Sequence, residues 1–305
     1  MKPRVLVITG PTAAGKSALA LELAERLGGE LVCADSLTVY RGLDIGSAKP
    51  SLAERQRVPH HLVDVREPTE PFSAADFRAA AMTAIAGIVA RDRHPILVGG
   101  TGLYLRTLLR GLVETPGEDP ALRERLRQQA EQEGGAALLE ALRAVDPQTA
   151  DQLHVNNLPR IIRALEVFHH TGRPLSALHA EHGFGESPYR TLQFCLELSR
   201  EALYERIDAR VDAMLAAGLV AEVAGLLQRG VPPSSKPLQA IGYKEVVAYL
   251  QGWYGLSEMV ELIKRNTRRF AKRQLTWFKK EPELQWVAYP ENSASIQAAA
   301  EMFFA

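Results

Sequence analysis

Apolar residues in the first third of the chain fall into runs of two lengths. Residues 4–9, 31–34 and 96–98 form short runs the length of strands. Segments 17–27, 74–90 and 102–109 between and after them have the length and spacing of helices. Strand-length runs that are nearly continuous in apolar residues predict strands buried on both faces, and helical segments between them predict βαβ units. The expected fold class is therefore α/β, with a parallel sheet flanked by helices.

The pattern changes at ETPGEDP, residues 114–120, and 122–143 then reads as a charged amphipathic helix broken at Gly134-Gly135. Helical periodicity continues through 158–170 and ends in TGRPLS, after which TLQFCLEL at 191–198 reads as a strand again. Residues 115–186 are thus expected to form an inserted all-helical subdomain in a core made of 1–114 and 187–305. The remainder predicts helices at 200–229, 238–251 and 256–280, a strand at 285–287 and a helix at 294–303. No internal repeat or low-complexity tract is present.

Composition narrows the class without changing this picture. With 305 residues, 46% hydrophobic and 24% charged, the chain is neither disordered nor fibrous, and the length fits about two domains. Cys33 and Cys195 lie far apart within apolar runs, which predicts free thiols in a reducing compartment. The N-terminal apolar stretch is too short for a signal peptide. The quiet segment between Arg78 and Arg91 is too short to span a membrane. A cytoplasmic protein with no membrane partner is expected. Charge does alter the expectation: 36 basic residues balance 36 acidic ones overall, yet residues 264–280 contain eight cations and no acid.

The most specific chemical signal is Gly10-Pro11-Thr12-Ala13-Ala14-Gly15-Lys16-Ser17, which fits G-x-x-x-x-G-K-[ST] between a strand pattern and a helix pattern. Glycines let successive backbone N–H groups converge on a polyanion at the positive end of a helix dipole. Lys16 adds a charge, and Ser17 offers a hydroxyl to Mg²⁺. A di- or triphosphate is expected there, on a P-loop NTPase-like sheet. Asp35, at the end of the second strand run, stands where open α/β sheets present ligands. It suits a Mg²⁺ ligand, a proton or hydrogen-bond acceptor, or simply a turn cap formed with Ser36.

Gly99-Gly100-Thr101-Gly102 follows the third strand run but is not a dinucleotide fingerprint, because Leu105 stands where the last glycine is needed. These glycines suit either a tight turn or close approach of backbone to substrate, with Thr101 presenting its hydroxyl. The histidines show no zinc spacing with the cysteines. Basic pairs in the 266–280 segment recur around Phe270, Leu275, Trp277 and Phe278, giving a cationic stripe with an apolar backing. Like charges at helical spacing repel, and a polyanion such as RNA would relieve that repulsion. Arg160 and Arg163 form a smaller basic step on the insert.

Taken in order, GPTAAGKS, ADSLTVYRGLDIGSAKP, HHLVD, FSAADF, GGTGLYL, RIIRALEVFHHTGRPLS, AIGYKE and TRRFAKRQLTWFKK resemble the tRNA dimethylallyltransferases, also called tRNA isopentenyltransferases, across nearly the whole chain. The resemblance implies transfer of a dimethylallyl group from dimethylallyl diphosphate to N6 of the adenosine 3′ of the anticodon, with Mg²⁺. The insert would be a clamp on the anticodon stem-loop. It implies diphosphate binding by the loop from Gly10 to Ser17 and by Arg206 or Arg210. Lys16 and Ser17 would sit nearest the charge and the metal. Asp35 would act at the adenine amine and Thr101 at the target nucleotide. Contacts to tRNA would come from Asp35, Ser36, Leu37, Thr38 and Arg123, from Pro159, Arg160, Ile161, Ile162 and Arg163, and from Gln239, Ala240, Ile241, Gly242, Tyr243 and Lys244. On the basic helix, Arg268, Arg269, Lys272 and Arg273 would add to them. Thr38 departs from the Gln of many relatives, which removes a longer hydrogen-bonding side chain. The chain lacks the zinc-finger extension of eukaryotic relatives and looks bacterial, and a monomer is expected. The alternatives are a P-loop kinase of a small metabolite and a non-catalytic RNA-binding module. The kinase needs no extended cationic surface; the module leaves the P-loop unexplained.

Overall fold

A computed structural model describes residues 2–185 and 187–305. Contacts divide the chain into two units, Met1–Leu109 with Ser187–Ala305 and Arg110–Glu186. The division after Leu109 lies five residues before the one expected from sequence.

The first unit opens with β1 (Arg4–Thr9), α1 (Lys16–Leu27), β2 (Gly29–Cys33), α2 (Leu52–Arg57), β3 (His60–His61), α3 (Ala74–Ala90), β4 (His94–Val98) and α4 (Gly102–Arg110). In the second unit are α5 (Pro120–Glu133), α6 (Gly135–Val145), α7 (Pro147–Ala150), α8 (Leu158–Thr171) and α9 (Leu175–His182). The chain returns to the first unit with β5 (Arg190–Glu197), α10 (Arg200–Ala216), α11 (Leu219–Gln228), a short 3-10 turn (Lys236–Gln239), α12 (Tyr243–Leu250), α13 (Leu256–Phe278), β6 (Gln285–Ala288) and α14 (Ser293–Phe304).

All six strands are parallel, in the order β3-β2-β4-β1-β5-β6. Successive residues of β1 point to opposite faces: Val5 and Val7 enter one core layer with α3, α4, α11, α12 and α13, while Leu6 and Ile8 enter another with α1 and α14. Burial on both faces explains why β1 reads as a continuous apolar run. Because the strands are parallel, the C-terminal ends of β1, β2, β4 and β5 share one edge. That edge carries Gly10, Asp35 and the Gly99-Gly100 pair.

Four elements escaped the sequence reading: α2, β3, α7 and α9. All are at most eight residues long, too short for a period to declare itself. The expected helix at 200–229 is two helices, because Gly218 adopts φ 101° between α10 and α11. The expected helix at 238–251 is likewise the 3-10 turn followed by α12. Cys33 and Cys195 are buried free thiols. Among the described residues no single helix is long and apolar enough to cross a membrane.

The second unit closes its own core around Leu138, Leu142, Ile161 and Ala164. In the same unit the wholly buried Glu166 receives Asp119 N–H at 2.7 Å, Arg123 through two N–H groups at 2.8 Å each, and Arg163. Burial by itself would raise the Glu166 pKa. These hydrogen bonds, Arg123's foremost, outweigh it and hold the carboxyl down at about 2.

Candidate active site

The loop between β1 and α1 turns because three of its residues adopt positive φ: Gly10 (142°), Ala13 (64°) and Gly15 (93°). At Gly10 a side chain is also sterically excluded, since a Cβ would lie 2.8 Å from the Leu196 carbonyl oxygen on β5. Lys16 and Ser17 then open α1, whose N-terminus carries unsatisfied N–H groups and the positive end of its dipole. Lys16 Nζ donates to the Pro11 carbonyl at 2.6 Å, curling over the loop. Desolvation, assisted by the charge of Arg210, brings the Lys16 pKa down to about 8 against the opposing pull of Asp35 and Cys195.

A cavity of about 360 Å³ opens beside the loop, lined by Ala13, Gly15, Lys16, Ser17, Ala18, Arg206, Ala209 and Arg210. Arg206, Ala209 and Arg210 share a face of α10 by their i, i+3, i+4 spacing. Burial lowers the Arg210 pKa and the Asp35 charge opposes that shift, so this guanidinium stands partly dehydrated near a carboxylate. Two arginines, a lysine and a helix N-terminus converging on one cavity form a site for a multiply charged anion.

Asp35 and Thr101 approach each other through the ends of β2 and β4. A Cβ on Gly99 would lie 2.1 Å from the Ala34 carbonyl oxygen, so only glycine lets these two strand ends meet. Thr101 N–H donates to Ala34 O and the Thr101 hydroxyl accepts Ser36 N–H, both at 3.2 Å. Asp35 Oδ1 accepts Leu37 N–H at 2.8 Å and Thr38 N–H at 3.3 Å. Asp35 is thus a turn cap through Oδ1, and among the described residues Oδ2 takes no hydrogen bond. The Thr38 hydroxyl is buried and unpartnered among those residues.

The model of a family described as IPP transferase matches residues 38–281, most of the chain. The chain belongs to the IPP transferase family. A relative from Trichlorobacter lovleyi named tRNA dimethylallyltransferase 1 is 70% identical over 100% of both chains. One from Geobacter sulfurreducens named tRNA dimethylallyltransferase is 52% identical over 99% of this chain and 97% of its own. Among solved structures, the full-length tRNA isopentenylpyrophosphate transferase from Bacillus halodurans is 39% identical with a TM-score of 0.73, covering 99% of this chain and 97% of that one. A eukaryotic dimethylallyltransferase, whose crystallographic snapshots show it acting on tRNA, is 31% identical with a TM-score of 0.81, covering 97% of this chain and 77% of that one.

Among the residues expected to contact tRNA, the structure separates buried or internally paired ones from exposed ones. Tyr243 is fully buried and donates its hydroxyl to Glu222 Oε1 at 2.8 Å, and Gly242 beside it is buried too. Ile161 and Ile162 are core side chains of the second unit. Arg123 and Arg163 are committed to Glu166, and Arg163 also donates to Thr115 and Pro116. Arg268 is held by both carboxylate oxygens of Asp208. Apolar packing, a buried hydrogen bond or internal ion pairing thus occupies the side chains of Tyr243, Ile161, Ile162, Arg123, Arg163 and Arg268. Ser36, Pro159, Arg160, Gln239, Lys244, Arg269, Lys272 and Arg273 are exposed, and Leu37, Ala240 and Ile241 are half-buried.

The cationic stripe is also less bare than its sequence suggests. Asp208 and Asp212 of α10 pair with Arg268 and Lys264. One site residue went unnoticed in the sequence: Gln274 of α13 accepts Thr12 N–H at 2.8 Å and donates to Gly100 O at 2.9 Å. Its position among Met259, Ile263, Ala271 and Phe278 on the buried face was the available signal.

Proposed function

We propose that the protein transfers the dimethylallyl group of dimethylallyl diphosphate to N6 of the adenosine 3′ of the anticodon in tRNA, giving N6-isopentenyladenosine and diphosphate. The observation that carries this reading is the anion cavity between the P-loop and α10, set beside a carboxylate and a hydroxyl at the neighbouring strand ends. The allylic C–O bond breaks and its electron pair leaves with the diphosphate. N6 forms the new C–N bond and gives up a proton.

The exocyclic amine is a weak nucleophile, so stabilising the leaving group is where the site lowers the barrier most. Loop N–H groups, Lys16, Arg206 and Arg210 receive the diphosphate charge. Asp35 Oδ2 orients N6 and accepts its proton, while Oδ1 keeps the turn rigid. Thr101 supports the target nucleotide. Extruding the base from its stack costs a few kcal/mol, offset by pocket contacts.

The hard hydroxyl oxygen of Ser17 suits Mg²⁺, which takes one or two protein ligands together with phosphate oxygens and water. When bound, that ion would supply further charge neutralisation on the departing diphosphate. The exposed cations of α13, with Lys244 and Arg160, receive the tRNA backbone, and a single chain is the working enzyme, without a membrane.

The test is to incubate the protein, Mg²⁺ and unmodified tRNA with either dimethylallyl diphosphate or ATP. The expected result is a mass gain on tRNA with the prenyl donor alone. ATP turnover with a small metabolite would select the kinase reading, and tRNA binding without transfer would select the binding module.

A further inference from the structure

We propose that Gln274 is a positioning residue that sets the distance between the anion-binding loop and the loop after β4, which presents Thr101 beside Asp35. The inference rests on the transfer reading above and concerns how its two halves are held in register. Gln274 is 7% exposed, and its one carboxamide spans the gap with both of its functions: Oε1 accepts Thr12 N–H at 2.8 Å and Nε2 donates to Gly100 O at 2.9 Å. The partners settle the amide orientation, because an N–H needs the oxygen and a carbonyl needs the NH₂ group.

From Gly100 the connection continues through covalent and hydrogen bonds. Thr101 follows directly, its N–H binds Ala34 O, and its hydroxyl binds Ser36 N–H on either side of Asp35. Gly100 itself is shaped by this contact. A Cβ there would come within 2.5 Å of Gln274 Nε2, while its other neighbours stay at least 3.6 Å away, and the nearest of those is Gly10 O. Buried backbone groups without partners are costly, so the amide holds both loops in one arrangement. A donor carbon and an acceptor nitrogen held on two separate loops react only when those loops are correctly spaced, and an error of about 1 Å can cost a hundred-fold in rate. Neither Glu nor Leu could replace the bridge, since one lacks the donor and the other both functions.

Four variants test this: Gln274→Met, which keeps the volume and removes both bonds; Gly100→Ala, which displaces the amide while deleting no core atom; Gln274→Ala; and Gly100→Ala combined with Gln274→Ala. Each is measured in single turnover with tRNA and dimethylallyl diphosphate saturating, alongside equilibrium affinities for both. The expected result is a transfer rate at least about 10-fold lower for Gln274→Met and Gly100→Ala, with both affinities within about three-fold of wild type. In the Gln274→Ala background, adding Gly100→Ala should cost nothing further, because the clash is gone. Wild-type rates in folded Gln274→Met or in Gly100→Ala would overturn the proposal, as would a loss confined to donor affinity. Should Gln274→Met fold poorly, Gly100→Ala decides alone. Failure of the underlying reading looks different, because wild-type protein would then transfer nothing.

Discussion

Asp35 carries two duties on two oxygens, and this division makes its role testable. Alanine would remove both the cap on Leu37 and Thr38 and the free Oδ2, but Asp35→Asn retains an acceptor at Oδ1 and removes the charge. Asp35→Asn should therefore lower the single-turnover rate by about 10²-fold or more, the range of a positioned acid/base group, while tRNA affinity measured by filter binding stays within a few-fold. A wild-type rate would leave Asp35 as a cap only. Lys16 offers a pH signature. Its pKa lies near 8 instead of the ordinary 10.5, so the free protein has a charged ammonium below about pH 8 and loses it above. Donor affinity should weaken as pH rises through 8. Because the diphosphate favours the charged form, binding just above that pH should take up a proton, seen by calorimetry in buffers of different ionisation enthalpy. Lys16→Met should abolish the uptake.

At the scale of elements, α13 separates its cations by what α10 offers them. Arg268 and Lys264 are neutralised by Asp208 and Asp212, whereas Arg269, Lys272 and Arg273 point into solvent. Counterion release depends on cations that reach phosphate. Single Gln substitutions at 269, 272 or 273 should each reduce the salt-dependence slope of tRNA binding, by about one at most. Arg268→Gln should leave the slope near wild type and instead loosen the α10–α13 contact, lowering the melting temperature. A slope loss at 268 equal to the others would mean that its ion pair opens on binding. Elements were also where the sequence reading was strongest: the expected strand at 4–9 and helix at 74–90 coincide with β1 and α3. Long, uniformly patterned segments declare their period, while α2 and β3 depend on capping and on pairing with β2.

For the molecule as a whole, two units with separate cores should respond differently to acid. Glu166 sits wholly buried in the second unit with a pKa near 2, against 4.5 for an ordinary glutamate. A depressed folded-state pKa contributes stability that is fully present above the unfolded value and is lost as pH falls from 4.5 towards 2. The ceiling on that contribution is about 3 kcal/mol. Hydrogen exchange of the α5, α6 and α8 amides, normalised to unfolded-chain rates, should quicken across that window. Glu166→Gln should destabilise the unit at neutral pH and flatten the acid dependence. Unchanged protection at pH 3 would remove Glu166 from its assigned place.

The sequence by itself determined the layered α/β class, the P-loop, the interruption by a helical segment and the presence of a basic helix, because each is written in local spacing and composition. Only the tertiary structure decided which cations are free and which are spent on Asp208, Asp212 or Glu166, and that Tyr243, Ile161 and Ile162 face inward. It also decided that Gln274 ties together two loops far from it in the chain. Ion pairs and bridging amides depend on partners brought close by folding; periodicity along the chain can mark a buried face but does not name those partners.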